Sequence, residues 1–260
     1  MSPIITLTTD FGLAGPYVAA MKGVILSINP AVRLVDLSHA VPPQDVRGGA
    51  ILLAEATPWF PAGTVHLAVI DPGVGTERKI IYAEVGDQRY IAPDNGLLSR
   101  LASKMRPARI IALENSEHWL PSVSKTFHGR DIMAPVAAQL SLGMEPDQLG
   151  PPHAQLVQLP WPIAQVRDRE IAGAIVWFDR FGNLITNITA AMLTTADLAT
   201  VRVEFGLDAI AGISKTYADL PAGSLTALIG SSGYLEIAVV GGSAEDRFDA
   251  APGAAVTVRW

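Results

Sequence analysis

A proline-rich stretch, GPPHAQLVQLPWP from Gly150 to Pro162, divides the chain into two parts with different hydrophobic patterns. Before this stretch, short apolar runs alternate with segments whose apolar residues recur at helical spacing. After it, the apolar runs are short and strand-like, and turn residues separate them at fairly even intervals. The pattern predicts an α/β domain over 1–150, a linker over 151–166 and a smaller all-β domain over 167–260.

The alternation in the first part predicts a mainly parallel sheet with helices on both faces. Strands are expected at Ile4–Thr8, Arg33–Leu37, Val65–Ile70, RKIIYAEV, RYIAP and ARIIAL. Helices are expected at Gly15–Ser27, at Asp45–Phe60, in DNGLLSRLAS from Asp94 onward, and at Arg130–Leu142. In the second part, the runs AGAIVWFD, VRVEF, SLTALIG, YLEIAVV and AAVTVRW predict a small all-β barrel or sandwich.

Composition limits the classes of partner. The 260 residues are enough to bury a sizeable core. The net charge of −6 argues against binding to nucleic acid, because proteins that bind the phosphate backbone normally present a basic face. The sequence has no cysteine, which excludes disulfides, thiolate metal sites and a cysteine nucleophile.

The apolar segments are short. None reaches the roughly 18–20 residues that a membrane-spanning helix needs. The first residues, MSPIITLTTDFG, lack a basic region ahead of the apolar run, so no signal peptide is expected. The prediction is a cytoplasmic protein that does not bind a membrane.

The segment VHLAVIDPGVGTERKIIYAEV, Val65 to Val85, places a glycine-rich turn after a strand. Phosphate-binding loops need a helix directly after the glycines, because the N–H groups and dipole of that helix bind the phosphate. Here the following residues have the period of a strand, and Gly-Lys-Ser/Thr is absent, so the phosphate interpretation fails. Asp71 is then either a turn residue in Asp-Pro-Gly or a functional carboxylate at the carboxyl end of a parallel strand.

Three further residues have both a structural and a functional interpretation. Asp10 in TTDFG ends a buried strand, where it either caps a turn or accepts the hydroxyls of a ribose. His128 in TFHGRD stands beside Gly129, which lets a ligand approach closely, and His39 in DLSHAVPP is the competing histidine. The spacing of histidines and carboxylates matches no metal motif, so no metal is expected.

The second part contains two more candidate segments. In FDRFGNLITNI, Phe181 can stack on a base, and Asn183 can read an adenine edge with its donor–acceptor pair. The alternative is an Asx-type hairpin turn, which the Gly182-Asn183 pair would suit. The segment GSSGYLEIAVVGGSA presents Ser231 and Ser232 near a strand end, either to a ligand or as part of a hairpin loop.

Six segments resemble, in order, the motifs of the S-adenosyl-L-methionine (SAM) hydroxide adenosyltransferase family: TTDFG, IDPGVGTER, IAPDNGLL, TFHGRDI, DRFGNLITNI and SSGYLEIA. These SAM hydrolases are relatives of the fluorinase and chlorinase enzymes, and the resemblance covers nearly the whole chain. It implies an N-terminal α/β domain, a C-terminal β-barrel and a homotrimer. Each site would lie between the N-terminal domain of one subunit and the C-terminal domain of its neighbour. The implied reaction is hydrolysis of SAM, the substrate, to adenosine and L-methionine, with no cofactor.

The resemblance also implies roles for individual residues. The family's catalytic Asp-Arg-His triad matches Asp71, Arg78 and His128. Substrate contacts are implied for eight residues: Asp10 at the ribose, Asp179 and Ser231 at the methionine group, Phe181 and Asn183 at the adenine, and Phe127, Gly129 and Ser232 as further contacts. The sequence leaves open whether Asp71 or His128 accepts the proton of the attacking water.

Two positions separate the chain from the halogenases, which carry aromatic residues where this chain has Asp71 and His128. Those enzymes also carry a long insertion before the RYIAP strand, where this chain has the short turn EVGDQ. A carboxylate in the site would repel a halide, which favours water as the nucleophile. The alternative hypotheses are a SAM-dependent chloride adenosyltransferase and a non-catalytic module that binds adenosine or SAM.

Overall fold

The structure, a computed structural model, describes residues 2–260. It consists of two compact units, the first ending at Leu159 and the second running from Pro160 to Trp260. The division falls inside the segment 151–166, which the sequence predicts to be a linker. The first unit contains a mixed sheet with helices, and the second contains an antiparallel sheet that is nearly barrel-shaped.

Six strands form the sheet of the first unit: β1 (Ile4–Thr9), β2 (Arg33–Ser38), β3 (Val65–Val69), β4 (Ile80–Val85), β5 (Gln88–Pro93) and β6 (Arg109–Ala112). Their order is β2-β1-β3-β5-β4-β6. The pairs β1–β2, β1–β3 and β3–β5 are parallel, whereas β4 is antiparallel to β5 and β6. The sheet is mixed because a tight turn at Gly86, where φ is +59°, reverses the chain between β4 and β5.

Helices cover both faces of this sheet: α1 (Tyr17–Ile28), α2 (Val46–Ala56), α3 (Ser99–Lys104) and α4 (Ala134–Ser141). Successive strand residues point to opposite faces, so neighbouring residues of β3 enter different cores. Leu67 packs in the core that contains residues of α1 and α4. Ala68 packs in the core that contains residues of α2 and α3. No helix within residues 2–260 has both the length and the apolar character needed to cross a membrane.

The third helix begins later than the sequence predicts. Asp94, the expected first residue, instead accepts hydrogen bonds from His153 Nε2 at 2.9 Å and from the backbone N–H of Val157 at 2.8 Å. Gly96 follows in a left-handed conformation, with φ of +97°. These contacts hold 94–98 as a turn, so α3 starts at Ser99 and the expectation of a helix from Asp94 is wrong.

Eight strands and one short helix form the second unit: β7 (Gln165–Arg167), β8 (Glu170–Phe178), β9 (Leu184–Thr189), β10 (Arg202–Phe205), β11 (Asp208–Ala211), β12 (Leu225–Ile229), β13 (Tyr234–Val239), β14 (Ala255–Arg259) and α5 (Ala244–Phe248). The strand order is β11-β10-β14-β8-β9-β13-β12, with β7 also paired to β8, and every pair is antiparallel. An isolated bridge joins Leu228 of β12 to Ser214, three residues after β11, so the two ends of the strand order approach each other and the sheet is nearly barrel-shaped. The strand-like runs of the sequence did not include β7, β9 or β11.

Candidate active site

The carboxyl ends of two neighbouring parallel strands carry the two aspartates of the first unit. Asp10 directly follows β1, and Asp71 follows β3 after one intervening residue. Because β1 and β3 are parallel and adjacent, their carboxyl ends meet at one edge of the sheet, where ligands bind in open α/β sheets. Both aspartates line a cavity of about 340 Å³, together with Phe127, His128 and Gly129.

The glycine-rich turn after β3 is a compact loop that leads directly into strand β4. Val74 donates its backbone N–H to the carbonyl of Asp71 at 3.2 Å, and Thr76 donates to the carbonyl of Gly73 at 3.1 Å. Gly75 adopts a φ of +79°, and a Cβ there would lie 2.5 Å from the carbonyl oxygen of Lys125. Glycine is therefore required for the close approach of this turn to the loop that precedes His128.

Because of this turn, the guanidinium of Arg78 lies against the carboxylate of Asp71. Arg78 Nε donates to both oxygens of Asp71, at 3.0 and 2.9 Å, and Nη2 donates to Oδ2 at 2.5 Å. The side chains of Asp71 and Arg78 are 5% and 11% exposed. A buried charge pair with this forked geometry has a fixed orientation, because the planar guanidinium donates along set directions.

Arg78 also determines the state of His128. Its Nη2 lies 2.9 Å from His128 Nδ1. A guanidinium can only donate, so Nδ1 must accept, and in a neutral imidazole the hydrogen is then on Nε2. The three side chains thus form one connected cluster with Arg78 in the middle, and the remaining ring nitrogen of His128 is a donor.

The charges around His128 favour this neutral form. Burial and the positive charge of Arg78 lower the pKa of His128 below its usual 6.5. Three interactions oppose this shift in the pKa without cancelling it: the negative charges of Asp71 and Asp131, and a hydrogen bond with the backbone of Ser124. The imidazole is therefore uncharged at neutral pH.

A hydrogen-bonded loop holds His128 in place. Asp131, which is fully buried, accepts from Arg130 Nε at 2.6 Å and from the backbone N–H of Ser124 at 2.9 Å. Ser124 Oγ accepts from the backbone N–H of Phe127 at 3.0 Å. The chain then makes a π-helical turn over Gly129–Met133 before α4, a feature that often occurs at functional sites.

Phe127 and Gly129 close the cavity beside His128. The ring of Phe127 packs edge-on against Phe11 and Tyr17, with ring centroids 5.9 and 5.3 Å apart. A Cβ on Gly129 would lie 3.2 Å from Val69 Cγ1, which is tighter than ordinary packing. Both residues therefore shape the cavity wall through close packing.

Asp10 has one oxygen engaged by a residue that the sequence did not single out. The backbone N–H of Gln44 donates to Asp10 Oδ2 at 2.8 Å, and Gln44 lines the cavity. Gln44 adopts a φ of +66°, which is unusual for a residue with a side chain and typical of functional sites. No sequence pattern signals this conformation.

His39, the competing histidine, lies elsewhere. Its Nδ1 lies 2.8 Å from Thr9 Oγ1, and its Nε2 lies 3.0 Å from Asp36 Oδ1. It does not line the cavity that contains Asp10 and Asp71. The structure therefore gives His39 a role in holding the end of β1 next to β2.

The second unit brings four of the remaining candidate residues to one pocket of about 870 Å³: Asp179, Phe181, Asn183 and Ser231. Phe181 is 77% exposed, so its ring is available for contact. Ser232 does not line this pocket.

Asp179 organises the hairpin turn between β8 and β9. Its Oδ1 accepts from the backbone N–H groups of Phe181 at 2.8 Å and Asn183 at 2.9 Å, and its Oδ2 accepts from Asn183 Nδ2 at 2.8 Å. The Asx-type turn and the pocket-lining position are thus both present in this segment. The turn orients the side chains that line the pocket.

Two pocket residues were not among the sequence candidates. The Tyr217 hydroxyl donates to Glu236 Oε2 at 2.7 Å, and Glu236 is only 6% exposed. Burial raises the pKa of Glu236 above its usual 4.5, as does the nearby charge of Asp179, whereas the Tyr217 hydrogen bond opposes the shift. Burial and the Glu236 carboxylate also raise the pKa of Tyr217.

Comparison with known proteins identifies the family. The model of the SAM hydroxide adenosyltransferase N-terminal domain matches residues 5–150, and the model of the C-terminal domain matches residues 173–257. The chain belongs to the SAM hydroxide adenosyltransferase family. The chain is similar to an (R)-S-adenosyl-L-methionine hydrolase of Salinispora tropica, 40% identical over 97% of this chain and 96% of that protein. A second, from Thermus thermophilus, is 41% identical over 95% of each chain.

A solved structure has the same fold. The crystal structure of an uncharacterized conserved protein from Thermotoga maritima aligns with a TM-score of 0.91 at 37% sequence identity. The alignment covers 98% of this chain and 100% of that protein. The likeness therefore extends over both units of the family fold.

Proposed function

We propose that the chain hydrolyses SAM to adenosine and L-methionine by attack of water on C5′ of the adenosyl group. The observation that carries this proposal is the internally hydrogen-bonded cluster of Asp71, Arg78 and His128. The side chains of Asp71 and Arg78 are nearly buried, and Asp71 and His128 line the cavity that Asp10 also lines. The hydrolase names of the two relatives support the same reaction.

The leaving group needs little help in this reaction. The water oxygen forms a bond to C5′ while the C5′–sulfur bond breaks, and its electron pair returns to sulfur. Methionine then departs as a neutral thioether, and no acid is required on that side. The difficulty lies with the nucleophile, because water has a pKa of about 15.7 and is a weak nucleophile.

Asp71 accepts the proton of the water in this mechanism. Although its oxygens already accept from Arg78, a carboxylate has about four lone-pair positions, so one remains for the water. His128 Nδ1 is occupied by Arg78, which leaves a donor at Nε2. His128 therefore orients the water by donating to its oxygen, and Asp71 takes the proton.

Arg78 stabilises the charge that develops during the attack. As the proton moves to Asp71, the nucleophilic oxygen gains hydroxide character, and the positive charge of Arg78 lies directly beside the Asp71 carboxylate. A fixed positive charge in a partly buried site stabilises such a transition state without reorganisation. The same group keeps Asp71 and His128 in position.

Substrate binding is divided between the two units in this proposal. The free oxygen of Asp10 accepts from the ribose hydroxyls. Residues of the second unit bind the rest: Asp179 and Ser231 the methionine group, and Phe181 and Asn183 the adenine. The chain acts as a homotrimer, with each site assembled from the first unit of one subunit and the second unit of its neighbour.

A product assay tests the proposed function. Purified protein incubated with SAM should form adenosine and L-methionine in equal amounts, and added chloride should not yield 5′-chloro-5′-deoxyadenosine. Binding of SAM without turnover would overturn the proposal in favour of a non-catalytic module. A chloride-dependent product would overturn it in favour of halide transfer, which the Asp71 carboxylate disfavours.

A further inference from the structure

The pocket of the second unit contains an amide whose orientation is fixed by its neighbours. Asn183 Nδ2 donates to Asp179 Oδ2 at 2.8 Å and to the Tyr217 hydroxyl at 3.4 Å. Both hydrogens of this NH₂ group therefore point at protein acceptors. Asn183 also lines the pocket, and its amide oxygen is the remaining polar atom of the side chain.

The Tyr217 hydroxyl has a direction as well. A carboxylate can only accept, so the hydroxyl hydrogen points toward Glu236 Oε2, 2.7 Å away. The lone pairs of the hydroxyl oxygen then face Asn183. If the Asn183 amide were rotated by half a turn, its oxygen would face both this oxygen and the carboxylate of Asp179, and three acceptors would lie together.

The position of Glu236 is itself constrained. Glu236 lies on β13, and its carboxylate packs against the backbone of Gly230, where any Cβ would overlap it. It is almost entirely buried. The carboxylate therefore has little freedom to move away from Tyr217.

We propose that Tyr217 and Glu236 are positioning residues that lock the Asn183 amide with its oxygen toward the bound base, so that the site selects a 6-aminopurine over a 6-oxopurine. This inference rests on the proposed function, in which Asn183 faces the adenine. The 6-amino group of adenine donates to the fixed amide oxygen. The 6-oxo group of hypoxanthine would place two oxygens against each other.

This arrangement differs from the sequence expectation for Asn183. The sequence suggests that the amide reads an adenine edge with both its donor and its acceptor. In the structure, both donor hydrogens are used within the protein, so only the acceptor remains for the ligand. A locked acceptor rejects the wrong base more strongly than a rotatable amide, which can adapt to either ligand.

A series of three nucleosides tests the fixed orientation of the Asn183 amide in the wild-type protein. Calorimetry would give the Kd of adenosine, of purine riboside, which has no 6-substituent, and of inosine, which has the 6-oxo group. A locked oxygen predicts purine riboside to bind about 5- to 10-fold more weakly than adenosine, since one hydrogen bond is lost, and inosine to bind more weakly still. Inosine binding as tightly as adenosine would overturn the proposed fixed orientation of the Asn183 amide. No binding of adenosine would instead overturn the proposed function and this inference together.

A pair of variants tests the positioning residues. Tyr217→Phe removes the hydroxyl that faces the amide and should lower the ratio of inosine Kd to adenosine Kd by about threefold or more. Tyr82→Phe is the matched control, because the Tyr82 hydroxyl also donates to a glutamate, Glu84, at 2.7 Å in the first unit. That control should leave the ratio unchanged. A ratio that Tyr217→Phe leaves at the wild-type value would contradict the role of Tyr217.

Discussion

In the cavity of the first unit and in the pocket of the second, a charged group fixes the hydrogen-bonding orientation of a neighbouring side chain. The charge is positive in the first and negative in the second. In the first, Arg78 can only donate, and it therefore fixes the acceptor side of the His128 ring. In the second, the carboxylates of Asp179 and Glu236 can only accept, and they fix the donor side of the Asn183 amide, Asp179 directly and Glu236 through Tyr217. An imidazole and an amide are both ambiguous groups until a group with a single hydrogen-bonding role is placed beside them.

The comparison assigns different consequences to the two regions. The first unit orients groups that act on the reacting water, so changes there should alter turnover. The second unit orients groups that bind the substrate, so changes there should alter affinity and selectivity. Turnover and affinity measured in single variants therefore distinguish the two regions.

Asp71→Asn should have the largest effect, a loss of turnover with little change in ligand affinity. The amide cannot accept the proton of the water, and we expect kcat to fall by about 10²–10⁴-fold. The Kd of adenosine should stay near the wild-type value. Asp94→Asn is the matched control, since Asp94 is a buried carboxylate of the same unit that pairs with His153 and does not line the cavity. A similar loss of kcat in both variants would contradict the role of Asp71.

His66 shows what a buried histidine does outside both sites. It is fully buried, 2.7 Å from Thr6 Oγ1 and stacked on Tyr90, and burial lowers its pKa from 6.5 to about 4. The unfolded chain binds this proton at a higher pH than the folded chain, so its contribution to stability is complete above pH 6.5. That contribution, on the order of 3 kcal/mol, is lost as the pH falls from 6.5 to about 4.

The free energy of unfolding, measured in urea at several pH values, checks this effect. His66→Gln should lose the part of the pH dependence that lies between pH 6.5 and 4. An unchanged slope in this variant would show that other groups cause the acid sensitivity.

Asp10→Ala should weaken binding without removing the proton acceptor. Its carboxylate would make charge-assisted hydrogen bonds to the ribose hydroxyls, each worth about 1.5–3 kcal/mol. We expect the Kd of adenosine to rise by about 10-fold or more, and the KM of SAM with it. Because Gln44 also bonds to Asp10, Asp10→Asn serves as a second variant that retains an oxygen at this position. A kcat loss as large as that of Asp71→Asn, with no change in Kd, would contradict this assignment.

The pH profile of turnover tests whether the neutral form of His128 is required and whether its pKa is lowered. Protonation would place a hydrogen on Nδ1 opposite an N–H of Arg78, which breaks the hydrogen bond between them. Because the pKa of His128 is lowered, neutral imidazole persists below pH 6.5. The acid limb of kcat/KM that belongs to His128 should therefore have its midpoint below 6.5 and should be absent in His128→Asn. A midpoint above 6.5 that this variant removes would contradict the assignment.

Much of the molecule follows from local patterns in the sequence. The strand after the glycine turn is readable from its period, and it excludes a phosphate loop in favour of the turn that ends at Arg78. The proximity of Asp10 and Asp71 follows from their positions at the ends of parallel strands. The contact of Arg78 with His128 does not follow from local patterns, because it depends on the close approach of Gly75 to Lys125, fifty residues farther along the chain.

The features that the sequence did not indicate depend on tertiary contacts. Strand β9 is buried almost throughout and pairs irregularly with both neighbours, so it lacks the alternation that marks a strand. The start of α3 is set by contacts of Asp94 with His153 and Val157. The roles of Tyr217 and Glu236 also arise only in the folded pocket, where residues distant in sequence meet Asn183.

The fate of the water oxygen shows directly whether water attacks C5′ of SAM. Wild-type protein is supplied with SAM in H₂¹⁸O, and the products are analysed by mass spectrometry. Attack of an activated water on C5′ predicts one ¹⁸O atom at the 5′ position of adenosine and none in methionine. Unlabelled adenosine, or label in methionine, would contradict the account.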